Sequence, residues 1–130
     1  MKVVKSTQLR IITADKAGEL ARVLDVVAGA KVNVVAYAGY SRDNKGHIML
    51  VTQDNARVMP LLKGSGCEIR EEPVVLVVDK DAVGSGAALA ARIARAGVNL
   101  SGAYATGAGA GEYTTVFQAP NIEHLLAALR

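Results

Sequence analysis

Two short stretches carry side chains suited to holding a small charged molecule: Asp15-Lys16-Ala17-Gly18-Glu19-Leu20 and Asp81-Ala82-Val83-Gly84-Ser85-Gly86. Each precedes a run with helical periodicity, so each stands at a corner where a strand gives way to a helix. An Asp there can accept from the first unpaired helix N–H groups, and a Gly permits a tight turn. That capping chemistry accounts for Asp15 and Asp81. It accounts less well for Gly18 and Gly84, because any first-turn residue would serve a plain cap. A Gly also lets another molecule approach the backbone and use the remaining N–H groups, which favour a carboxylate. Glu19 and Ser85 complete the two corners. Asn33 and Asn99 pose the same choice. Asn between a helix and a strand is a good turn residue because it tolerates the left-handed conformation. It also offers donor and acceptor together, which suits the ammonium and carboxylate of an amino acid. On the residues alone, both pairs read first as caps and turns.

Reactive side chains are otherwise sparse. His47 and His124 are the only histidines and have no ligand-like neighbours in sequence. His47 falls in a strand and His124 on the polar side of the last helix, where an ordinary surface or interface imidazole is the simpler reading. Cys67, the single cysteine, reads as a small buried hydrophobe. Nucleophile-elbow, paired-cysteine and metal-spaced motifs are missing, so neither intrinsic catalysis nor a cofactor or metal is expected. Gly107-Ala-Gly-Ala-Gly111 invites a phosphate-loop reading. Such a loop needs a helix after it, and Glu112–Gln118 reads as a strand, so a flexible hairpin is expected.

The elements that position these corners come in a repeat. Ala28, Ala30, Val32 and Asn33 recur 66 positions later as Ala94, Ala96, Val98 and Asn99. The same offset pairs Asp15 with Asp81 and Gly18 with Gly84, while apolar positions follow apolar ones, as in Leu9/Val75 and Val23/Leu89. A duplication explains this economically. Within the first unit, residues 7–14 read as a strand, and Leu20, Val23, Leu24 and Val27 form an amphipathic helical stripe. Asn33–Tyr40 is extended, Arg42–Gly46 is a turn with Gly46 available for positive φ, and His47–Thr52 is a strand. Ala56–Lys63 reads as a helix and Cys67–Glu72 as a last strand. The second unit gives a strand over Val74–Asp79, a helix over Gly86–Ala96, and strands over Asn99–Thr106 and Glu112–Gln118. Asn121 then caps a helix carrying Ile122, Leu125, Leu126 and Leu129 on one face.

The expected class is α+β: two ferredoxin-like βαββαβ repeats, residues 1–72 and 73–130, each an antiparallel sheet with its helices on one face. The second repeat lacks a closing strand, which Lys2–Lys5 or a second chain would supply. Pro73 has no N–H, so the strand ladder is expected to break or bend there. Units of about 65 residues are marginal alone, which motivates an assembly, either a homodimer or a complex with a regulated enzyme.

Composition narrows the function classes. Half of the 130 residues are apolar, a globular composition. The net charge of +3 is spread along the chain without a basic block, so it is only a weak argument for nucleic acid and reads as a solvated surface. A single cysteine suits a reducing compartment, and the start MKVVKSTQLR lacks a signal-peptide core, so a cytoplasmic protein is expected. The longest apolar run, Val74–Val78, is too short to cross a membrane.

The β-α-β-β-α-β order, the corner DKAGEL and the phrase Val-Asn entering the second strand together resemble the ACT domain. From about residue 5 onward, the chain resembles small stand-alone tandem-ACT proteins. The family's usual corner is Asp-Lys-Pro-Gly-x-Leu, followed by Gly-(Val/Ile)-Asn-(Ile/Leu). Residues 15–20 match except Ala17 for Pro, residues 97–100 match fully, and residues 31–34 lack the Gly. The corner DAVGSG departs most. The resemblance implies a regulatory module binding a small molecule, typically an amino acid, at an interface between domains. Gly18 and Gly84 with their loops (Asp15, Lys16, Ala17, Glu19; Asp81, Val83, Ser85) would hold the polar end, and Asn33 and Asn99 would reach in from the neighbouring repeat. That reverses the order of the two readings in favour of binding. The rival is an RNA-recognition-like module of the same element order, which reads bases by stacking them on strand aromatics. With one Phe, four Tyr and no Trp, that platform is missing.

Overall fold

A computed structural model describes residues 1–130. Six strands and four helices follow the order β1 (Lys2–Ala14), α1 (Glu19–Gly29), β2 (Val34–Arg42), β3 (Lys45–Thr52), α2 (Asn55–Gly64), β4 (Glu68–Lys80), α3 (Ser85–Arg95), β5 (Gly102–Gly107), β6 (Glu112–Gln118) and α4 (Ile122–Leu129). They form an α+β fold with two compact units. One is Thr7–Glu72; the other joins Met1–Ser6 to Pro73–Arg130.

In the unit Thr7–Glu72 the strands lie in the order β2-β3-β1-β4. Period-two alternation sends Leu9 and Ile11 of β1 and Ile48 and Leu50 of β3 to one face. Val23 and Val27 of α1 and Val58 and Leu62 of α2 meet them there, all almost wholly buried. Cys67 is free and buried in the same core. The β2–β3 hairpin closes through Asp43 and Asn44, both at positive φ (53° and 61°), while Gly46 is not. Two consecutive left-handed residues match the right-handed twist of the flanking strands. The turn falls within the expected Arg42–Gly46, but its positive φ values belong to Asp43 and Asn44 rather than to Gly46. It fixes the pairs Arg42↔Lys45 and Tyr40↔His47.

The unit Met1–Ser6 with Pro73–Arg130 orders its strands β1-β4-β6-β5. Its core collects Val75 and Val77, Leu89 and Ile93 of α3, Phe117, and Leu125, Leu126 and Leu129 of α4. Asn121 caps α4 as expected, accepting from the His124 N–H at 3.1 Å. Residues 1–6, counted with the first repeat by its boundary but named as one source of the missing strand, lie with this unit. They flank β4, where a closing strand was missing from the expected element list. Val3 packs on the core, and Lys5 pairs with Glu123. An unpaired ladder of N–H and C=O groups costs free energy, so the nearest free strand fills it.

β4 runs as one strand through Pro73, where the ladder was expected to break or bend. Pairing between β4 and β6 begins only at Val75↔Phe117. At Pro73 the strand therefore has no β6 neighbour, and a missing N–H sacrifices no bond on that side.

Candidate functional site

The two corners adopt the same backbone. Gly18 and Gly84 precede α1 and α3 with φ, ψ of 91°, −8° and 86°, −4°, and no side chain caps either helix. This overturns the Asp cap. Asp15 instead accepts from the Ser41 hydroxyl at 2.6 Å, tying the corner to the end of β2. The Asp81 N–H donates to the Gly111 carbonyl at 3.0 Å. A left-handed residue is costly for anything with a Cβ, which explains Gly at the same place in both corners. The first-turn N–H groups are consequently left without a side-chain cap and carry the partial positive charge of the helix start.

Beside the first corner is a cavity of about 360 Å³. Asp15, Lys16 and Glu19 stand at its mouth, with Leu20, Tyr37 and Ile48 among its apolar walls. Leu20, expected within the buried stripe of α1, is 43% exposed and faces this space instead. Glu19 is anchored by Arg22, whose Nε and an Nη donate to one carboxylate oxygen at 2.9 and 2.7 Å. Lys16 approaches the other oxygen at 3.7 Å but remains largely solvated. Its ammonium is therefore available to an anion.

Aromatic and polar groups of the hairpin complete the wall. Tyr40 and His47, opposite each other in the β2–β3 register, stack with centroids 5.0 Å apart and planes 5° from parallel. His47 Nδ1 is buried and has no hydrogen-bond partner. Arg10 holds Tyr40 in place, donating to its oxygen at 3.2 Å and to Glu72 at 2.8 Å, while Gln8 donates to Glu72 at 3.1 Å. Burial works against the Arg10 charge, but the hydrogen bond and charge of Glu72 outweigh it, and the guanidinium pKa is raised. The cavity is thus bordered by charged groups of both signs and by apolar walls.

The other named residues fall elsewhere. Asn33 and Asn99 are exposed and lie just before β2 and β5. Asn33 is thus at the far end of β2 from Ser41. The left-handed conformation expected of these Asn residues belongs instead to Lys31 and Gly97, at φ 59° and 73°. Lys31 thus takes up, without being glycine, the left-handed conformation that Gly97 takes before β5. Val83 is fully exposed, and Gly86, rather than residues 81–85, enters a cavity of the second unit. Tyr37, Tyr40 and Ser41 were not singled out from the sequence, and His47 reads there as an ordinary surface or interface imidazole. The signal was available for the last three: a two-residue turn at Asp43-Asn44 fixes their pairing, and Ser41 follows from its place beside the corner.

No known family's sequence profile matches the chain, and no curated protein sequence does. Solved structures match throughout its length. Protein BT0572 from Bacteroides thetaiotaomicron superposes with a TM-score of 0.88 at 20% identity, covering 98% of this chain and 88% of the other. The regulatory subunit of aspartate kinase from Thermus thermophilus gives 0.69 at 17% identity, with 98% and 93% covered. Its counterpart from Thermus flavus gives 0.58 at 18%, with 99% and 95% covered. At these identities the likeness is one of fold, and the fold is ACT-like. No helix is long and apolar enough to cross a membrane.

Proposed function

We propose that this chain is a regulatory protein without catalytic activity of its own that binds a small amphoteric ligand, an amino acid by class, at the Asp15–Leu20 corner. One observation carries the reading. An uncapped helix start behind a left-handed Gly18 borders a cavity whose mouth holds Lys16, Asp15 and Glu19. The ligand carboxylate takes the free N–H groups and Lys16, its ammonium takes Asp15 and Glu19, and its side chain rests on Leu20 and Tyr37. Two proteins of similar fold, regulatory subunits of aspartate kinase, support a regulatory role.

Asn33 and Asn99 line neither unit's cavity, so we assign them to contacts supplied by a second copy or by an enzyme under control. β2, the terminal strand of its unit, offers an unpaired edge for such a partner. The corner Asp81, Val83, Gly84 and Ser85 would form a second, weaker site because it lacks the counterparts of Lys16 and Glu19.

A thermal-shift screen of the twenty amino acids with nucleotides and short RNA tests this. A ligand at a hundred times its dissociation constant adds about 2.7 kcal/mol to the folded state. The expected outcome is stabilisation by one or a few amino acids, reduced at least about tenfold in affinity by Lys16→Gln, equivalent to about 1.4 kcal/mol. Stabilisation by nucleotides or RNA alone would overturn the assignment, as would an amino acid that binds the Lys16→Gln protein unchanged.

A further inference from the structure

The unit Met1–Ser6 with Pro73–Arg130 contains a cavity of about 290 Å³ between α3 and the β5–β6 hairpin. It occupies the repeat position of the corner cavity. Gly86, Ala103 and Tyr113 line it where the other unit presents Leu20, Tyr37 and His47, each 66 positions earlier. The two large apolar side chains have become Gly and Ala, which opens the space down to Leu89 and Phe117 of the core. No charged residue lines it. The one polar atom left unsatisfied there is the Tyr113 hydroxyl, buried and without a hydrogen-bond partner. A Cβ built on Gly86 would lie 3.9 Å from that oxygen, an ordinary contact distance, so residue 86 is the helix position next to the hydroxyl.

We propose that this cavity is a second binding site, taking a small uncharged molecule with an apolar body and one hydrogen-bond acceptor. The body lies on Leu89, Ala90 and Phe117, and the Tyr113 O–H donates to the acceptor. Neutrality follows from the walls. A charged ligand would find no counter-charge in these walls, whereas a neutral carbonyl satisfies the one buried donor that lacks a partner. The volume, just under the ordinary range of ligand pockets, limits the occupant to something near the size of a single ring with one substituent. This site stands independently of the amino-acid reading of the Asp15 corner.

Benzamide and benzoate, alike in shape and different in charge, serve as probes. Methyl-resolved NMR titration of the intact chain should show saturable shifts at Ala90, Ala103 and Ala105 with benzamide and not with benzoate. Tyr113→Phe should weaken benzamide at least about fivefold. Gly86→Leu installs the bulk the other unit carries and should abolish the shifts. It replaces a helical glycine by a better helix former, so folding is not put at risk. Equal shifts with both probes, no saturable shift with either, or benzamide binding that survives Gly86→Leu or is unchanged in Tyr113→Phe would overturn the proposal.

Discussion

Replacing Gly18 by Ala isolates the backbone geometry on which the corner depends. At φ 91° the residue lies where an L side chain pays roughly 1–2 kcal/mol. A Cβ there meets nothing within 4 Å, so no steric contact adds to that figure. Loss of a glycine also restricts the unfolded chain, which returns roughly 0.4–1 kcal/mol. The balance is a destabilisation of about 1 kcal/mol, lowering Tm by about 3–5 °C for a chain of this size. Gly29 supplies the control. It lies at the end of the same helix without a positive φ, and its added Cβ is equally unobstructed. Gly29→Ala should therefore stabilise by about 0.5–1 kcal/mol. The two Gly→Ala variants thus differ by about 2 kcal/mol, roughly thirtyfold in the unfolding equilibrium. Urea denaturation of both proteins with unchanged m-values measures the difference directly. Gly18→Ala proving as stable as Gly29→Ala would refute the claim that a left-handed residue defines this corner.

The Arg10–Glu72 pair is mostly buried, with side chains 17% and 22% exposed. Glu72→Gln should therefore cost about 1–2 kcal/mol in a urea melt, and a change within error of zero would dismiss the network as structural support for Tyr40. Because the Arg10 pKa is raised, its contribution is fully present below the ordinary arginine value and is lost only in strong alkali. A pH titration of the Glu72→Gln difference through the neutral range should consequently show no step attributable to Arg10. Deleting residues 2–6 should strip amide-exchange protection from residues 74–80 of β4, whereas retained protection would show that the N-terminal strand is dispensable there. Leu62→Ala removes a wholly buried side chain and should cost about 2–5 kcal/mol by thermal or urea unfolding; a loss below about 1 kcal/mol would mean the site collapses around the deletion.

Much of the architecture was already legible in the chain. The helical stripe around Val23 and Val27, the strand alternation of Leu9 and Ile11, and the Asn121 cap depend on residues within a turn or two of one another. Local periodicity and capping chemistry therefore determine them. The DKAGEL corner was legible for the same reason, since a glycine at a strand-to-helix junction is a local signal. Its φ was not, because a sequence shows only that Gly permits a left-handed residue.

Tertiary structure decided the rest. Periodicity says which face of β1 is apolar but not which strand it joins. The chain is free to place Lys2–Ser6 beside β4 because an unpaired ladder there costs more than extending β1. Leu20 fits the helical stripe by spacing, yet it is exposed, because the stripe's final angular position depends on where the sheet surface ends. Tyr40 and His47 became neighbours through a hairpin register set by Asp43 and Asn44, and Arg10 and Glu72 steady them from strands far apart in sequence. The Tyr113 cavity is the clearest case. Gly86 and Ala103 look unremarkable in sequence, and the space they leave open exists only once α3 has settled against the hairpin.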